Sequence, residues 1–165
     1  LYKNDISILI GSSSAFLILN FFGKTFLGDI GSCFFGMICA FLISCSFLET
    51  YDLNRLLMLL APILPLLIDT SLTILIRLKN GDKVISTPHR QHSYQLNAAM
   101  GMPHWFVSFI YCSKLTIACS FSHLSLTFGF SLLQNILGFV ILILIDSFYI
   151  FNTRLKAFRL GLIPS

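Results

Sequence analysis

Five apolar runs recur along the chain, each separated from the next by a polar seam. They cover residues of about 6–23, 32–48, 53–76, 104–122 and 126–151. A helix needs roughly 20 mostly apolar residues to cross the hydrocarbon core of a bilayer. The pattern therefore predicts an all-α, polytopic transmembrane helical bundle of about five spans, one membrane domain over residues 1–165. Pro62 and Pro65 fall inside the third run, "APILPLLIDT". Each lacks a backbone donor, so a kink is expected there.

One polar stretch is long enough to house chemistry of the soluble type, residues 77–103. Within it, "STPHRQHSYQLNAAMG" offers Thr87 as an N-cap, Pro88 at the first helical position, Gly101 as a stop and Pro103 beyond it. A short surface helix over 88–99 is expected. His89 and His92 would share one face of it, with Arg90 between them. Tyr94, Leu96, Ala98 and Ala99 would rest on the membrane or on the protein.

Composition narrows the class. Charged residues make up 11% of the chain and hydrophobic ones 56%, with mean hydropathy +0.84, against about 25% charged in soluble domains. The net charge of +4 is no nucleic-acid signature, because the basic residues sit at the ends of the apolar runs. Lys24, Arg77, Lys79, Lys83, Arg90, Arg154, Lys156 and Arg159 would share one side, and only Lys3 and Arg55 the other. By the positive-inside rule the 77–103 loop and the seam around Asp29 then face the cytoplasm. Five cysteines (Cys33, Cys39, Cys45, Cys112 and Cys119) lie in the apolar runs without ligand spacing and read as core or lipid-facing residues. The chain opens on Leu1 with no signal-peptide pattern, so it is read as starting inside a longer protein.

Three sets of residues can carry chemistry. Asp29 stands in "GDIGS", where Gly28 and Gly31 allow close approach and the following helix directs its positive end at the same spot. A carboxylate there suits Mg2+, which takes one or two carboxylates together with phosphate oxygens and water. A plain helix cap explains it equally well. His89, Arg90 and His92 suit a phosphate. They lack the i, i+4 spacing and the glutamate of a zinc protease helix, and a solvated basic loop is the alternative. Asp69 lies within the third run with Thr73 and Arg77 on its face. An acid there is costly and needs a partner. Lys114 is a candidate, unless Lys114 pairs with Asp146 instead. His104, Trp105 and His123 read as interface residues.

Taken in order, "FLGDIGS", "LPLLIDTSLTILIRL" and "TPHRQHSYQL" resemble the polyprenyl-phosphate N-acetylhexosamine-1-phosphate transferases (glycosyltransferase family 4), over residues 15–100. The initiating enzymes of O-antigen and enterobacterial common antigen synthesis belong to that family. The last two runs match it mainly in hydropathy. The resemblance implies transfer of a sugar 1-phosphate from a UDP-N-acetylhexosamine to polyprenyl phosphate, usually undecaprenyl phosphate, with release of UMP. The reaction would be Mg2+-dependent (Mn2+ as a substitute), at the cytoplasmic face of a bacterial inner membrane. Carried over, Asp29 would be the metal ligand, and His89 and His92 would hold the nucleotide-sugar diphosphate with Arg90 as a third contact. Gly28, Gly31 and Ser32 would shape the loop, and Asp69 would be secondary. The family's earlier acidic pair and Asn/Asp-rich segment are missing, so the chain is expected to be a C-terminal half, inactive alone. A transporter, a lipid-binding scaffold and an inactive remnant are the competing readings.

Overall fold

Helices account for every regular element in the computed structural model, which describes residues 3–21, 28–81 and 90–163, with backbone alone at 3–6, 9, 20, 21 and 28–30. They are α1 (Lys3–Phe21), α2 (Gly28–Thr50), α3 (Leu53–Leu60), α4 (Leu64–Lys79), α5 (Ser93–Ala99), α6 (His104–Phe128) and α7 (Leu132–Arg159). A 3-10 turn, Ala61–Ile63, joins α3 to α4. Four stretches among the described residues are long and apolar enough to cross a membrane: Gly31–Thr50, Leu53–Lys79, His104–Phe128 and Leu132–Arg159. The expected first span is a helix, α1, with Ile10–Leu19 as its apolar stretch among the described residues.

The chain divides into two units, Leu1–Leu48 and Glu49–Ser165. The first holds α1 and most of α2, whose apolar window is not buried. The second is a bundle of three spans, α3–α4, α6 and α7, with α5 packed against α6 and α7. Its apolar core is small: Leu64, Ile68 and Ile150, flanked by Leu72, Phe139, Leu142, Ile143 and Tyr149. Gly138 of α7 meets the Phe121 ring of α6 so closely that a Cβ would collide with it.

The rest of the burial is polar. Asp69, Thr73, Arg77, Asn97, Ser122, Ser125, Asn135, Asp146 and Arg154 are buried, whereas Leu75, Phe109, Ile145, Phe148 and Phe151 are exposed. Such inversion follows from a hydrocarbon solvent. Apolar side chains gain nothing by leaving it, while polar ones must find partners inside the bundle.

The expected kink takes a definite form. Pro62 has no N–H to give the Met58 carbonyl one turn earlier, and the chain tightens into the 3-10 turn at that point. The Ser122 hydroxyl of α6 donates to the Met58 carbonyl instead, at 2.7 Å. At the same end of the bundle, Asn135 Nδ2 donates to Asn54 Oδ1 and Ser125 Oγ donates to Asn135 Oδ1, each at 2.6 Å. Asn54 Nδ2 in turn donates to the Phe130 carbonyl at 3.0 Å. Gly129, at φ 66°, lets α6 stop and turn, and Ser131 with Gln134 forms the capping box that opens α7.

Ser122→Ala is expected to lower stability by about 1–3 kcal/mol, the cost of an unsatisfied buried carbonyl. The same substitution should cost markedly less in a Pro62→Ala background, where an N–H is restored. Thermal midpoints of the four detergent-solubilised proteins measure this coupling, and equal costs in both backgrounds would show that Ser122 does not substitute for the missing donor.

Candidate functional site

The polar mouth of the second unit is built on Asp69. It lies about 15 Å before the end of α4 at 1.5 Å per residue, and it is buried. Its Oδ1 accepts from the Ser93 N–H at 3.1 Å, and its Oδ2 lies 3.3 Å from His92 Nδ1. The carboxylate thus closes the N-terminus of α5 and orients the imidazole preceding it. Thr73 and Arg77 line the same face of α4 and are buried, as the i+4 and i+8 spacing requires.

These contacts revise the expected surface helix of 88–99. Residues 90–92 are not helical, and α5 begins at Ser93 with His92 as its N-cap, whose N–H is accepted by Gln95 Oε1 at 3.2 Å. The helix is also inserted rather than laid on the surface: Ser93, Leu96 and Asn97 are buried while Tyr94 and Ala99 stay exposed. Ser93 Oγ and Tyr111 OH share a hydrogen bond, and Asn97 Nδ2 donates to Tyr149 OH at 2.5 Å. Turn propensity pointed to Thr87-Pro88 as the start. The partners that α6 and α7 offer to Ser93 and Asn97 outweigh it. Thr87, Pro88 and His89 lie outside the described residues, and His92 is the N-cap rather than a helical residue.

His92 keeps a route to a ligand. Its Nδ1 faces Asp69, its ring stacks on Tyr94 with centroids 5.9 Å apart, and its side chain retains 21% exposure. Arg90 is exposed and lines a cleft of about 440 Å3 with Tyr94, Gln95, His104 and Ser108. His104, read from sequence as an interface residue, therefore shares a cavity with Arg90. No local pattern announces this, because it depends on the loop folding back over the start of α6. From the other side Arg154 of α7 donates through Nη1 to the Gln91 carbonyl at 3.0 Å and through Nη2 to Gln91 Oε1 at 3.3 Å. The segment 90–93 is held from two spans at once.

Deeper in the bundle, Lys114 Nζ lies 2.8 Å from Asp146 Oδ1 and 3.8 Å from the centre of the Tyr149 ring. This settles the alternatives left open for Lys114 in favour of Asp146, and leaves Asp69 to His92.

Gly28 and Asp29 are the first two residues of α2, and Gly31 and Ser32 complete its opening turns. The stretch "GDIGS" is therefore not a seam ahead of the helix, as the run boundary near residue 32 suggested. Asp29 stands inside the first turn rather than at a capping position before it, where an acid is favourable beside the positive end of the helix dipole. Among the described residues no three His, Cys, Asp or Glu gather as a metal site. Both oxygens of Asp69 are engaged, so Asp69 does not fit a magnesium ligand. Asp29 is described by its backbone alone.

Fold and site together define a membrane-embedded helical bundle whose buried polar network holds a histidine-bearing loop at one end. The chain matches no protein-family model, no curated protein and no solved structure.

Lys114→Met should destabilise the bundle by about 3–5 kcal/mol, because Asp146 would remain as an uncompensated buried charge. Lys114→Met combined with Asp146→Leu should recover most of that loss. Unfolding midpoints in one detergent decide the matter, and a double variant no better than the single would mean that the pair does not balance its own burial.

Proposed function

We propose that the chain carries the histidine loop and metal carboxylate of a polyprenyl-phosphate N-acetylhexosamine-1-phosphate transferase. It would act in a bacterial cytoplasmic membrane, with α1 completing five spans and the 77–103 loop on the cytoplasmic side. The observation that carries this reading is the Asp69–His92 pair. It joins two of the three motifs of the resemblance, "LPLLIDTSLTILIRL" and "TPHRQHSYQL".

The chemistry asks for positioning and charge neutralisation. An oxygen of the polyprenyl phosphate attacks the sugar-bearing phosphorus of the UDP-N-acetylhexosamine. The bond from that phosphorus to the bridging oxygen breaks, and UMP leaves with the electron pair. Asp69 keeps Nδ1 of His92 directed into the protein, and His92 would contact a diphosphate oxygen through the other side of its ring. Arg90 adds a permanent cation at the same mouth, and His104 and Gln95 widen the polar wall of its cleft. Mg2+, held through Asp29, would supply charge neutralisation at the phosphates when bound. The exposed apolar faces of α4 and α7 let a prenyl chain remain in lipid. The product would begin a lipid-linked envelope glycan of the O-antigen kind.

A transporter or scaffold draws on a different observation, the Lys114–Asp146 pair deep in the spans, and would release no UMP. The deciding assay is UMP release from UDP-N-acetylhexosamines by membranes carrying the full reading frame, with undecaprenyl phosphate, with and without Mg2+. Release that needs both, falling about 10²–10³-fold in Asp29→Asn as for loss of one electrostatic stabiliser, is the expected outcome. Release independent of Asp29 would reduce that residue to a helix-start acid.

His92 makes a separate demand. As a contact to the diphosphate, His92→Gln should raise KM for the UDP-sugar several-fold with little change in kcat. Asp69→Asn, which keeps an acceptor for the Ser93 N–H, should cost roughly 10- to 100-fold in kcat/KM, as for other partners that orient a functional side chain. A KM for the UDP-sugar unchanged in His92→Gln would exclude the diphosphate contact.

A further inference from the structure

A second cavity lies at the loop end of the bundle, apart from the Arg90 cleft. It measures about 500 Å3 and lies between the last turn of α4 and the last turns of α7. Ile76, Phe151, Leu155 and Phe158 give it apolar walls, and Lys79 and Arg154 stand on it as cations. Asn80 and Ile163 complete the lining, which includes no carboxylate. Lys79 is exposed and makes no ion pair among the described residues. Arg154 spends two N–H groups on Gln91, and a guanidinium has five.

The geometry points to a binding site for an anionic, two-chain membrane phospholipid of the phosphatidylglycerol type. The headgroup phosphate would lie between Lys79 and Arg154, and the acyl chains against the flanking spans. Charge chooses the occupant. Both helices present their C-termini here, and the partial negative charge of those ends repels an anion. Attraction must therefore come from the side chains, and two cations without a carboxylate provide it. Position agrees, since basic pockets between spans at the headgroup level take up anionic lipids. Leu75 and Leu78 on α4, and Phe151 and Phe158 on α7, expose apolar surface on both sides of the cations, which suits two chains better than one. The site needs neither UDP-sugar nor metal, so it stands apart from the transferase reading. It has one consequence for that reading: Arg154 also holds Gln91, so a bound headgroup would brace the residue preceding His92.

The test is native mass spectrometry of the full reading frame, released from nanodiscs that contain equal phosphatidylglycerol and phosphatidylcholine. Phosphatidylglycerol should be retained preferentially. Lys79→Glu should reduce that retention at least about fivefold, the scale of one cation at a lipid surface, and Lys79→Arg should preserve it. Lys79 is exposed, so both variants should keep the unfolding midpoint of the unsubstituted protein in phosphatidylcholine alone. Equal retention of the two lipids, or retention untouched by Lys79→Glu, would overturn the assignment. Displacement of phosphatidylglycerol by an equimolar amount of undecaprenyl phosphate would overturn it too, marking the cavity as the acceptor-lipid groove.

Discussion

A carboxylate buried within a membrane span must be satisfied or the span does not stay where it is, and Asp69 sets that constraint here. Removing an ion from water costs several kcal/mol even after relaxation, and the hydrocarbon around this bundle offers no compensation. Asp69 finds its compensation in the Ser93 N–H and the His92 imidazole. Both come from a segment that would otherwise be loop. The result is that α5 is drawn into the bundle and Leu96 and Asn97 are buried.

The two ends of the second unit solve related problems with different groups. At the far end a missing proline donor is replaced by the Ser122 hydroxyl, and Asn54, Ser125 and Asn135 tie three helix termini together. At the loop end Asp69, Arg154, Ser93 and Asn97 do the same for α4, α5, α6 and α7. Between them Lys114, Asp146 and Tyr149 form a charge pair capped by an aromatic face. Lipid supplies no hydrophobic drive for helix association, so these polar contacts specify which helices meet, while the Leu64–Ile68–Ile150 contact fills the space between them.

The same economy bears on function. On the proposed transferase reading cations must be held rigidly at the headgroup level, and segment 90–93 is clamped from α4 and α7. Asp29 belongs to the other unit, in the first turn of an apolar helix. The loop-end cations divide into those that line the histidine cleft and those that line the α4–α7 cavity, with Arg154 bonded toward the first while lining the second.

The sequence by itself determined the class of the molecule. Runs of apolar residues of span length can only be satisfied as helices in lipid, and the proline pair in "APILPLLIDT" had to break one of them. The same regularity placed Asp69, Thr73 and Arg77 on one buried face. Its motifs also singled out Asp29, Arg90 and His92. What it left undecided was everything that depends on neighbours remote in the chain: which acid Lys114 pairs with, where α5 starts, and that Ser122 replaces the donor missing at Pro62. Local propensity favoured a helix from Thr87. The tertiary structure starts α5 at Ser93 because a buried carboxylate needs that N–H more than the loop needs an earlier turn. Pairings of this kind are chosen by burial cost, and burial exists only once the spans have packed.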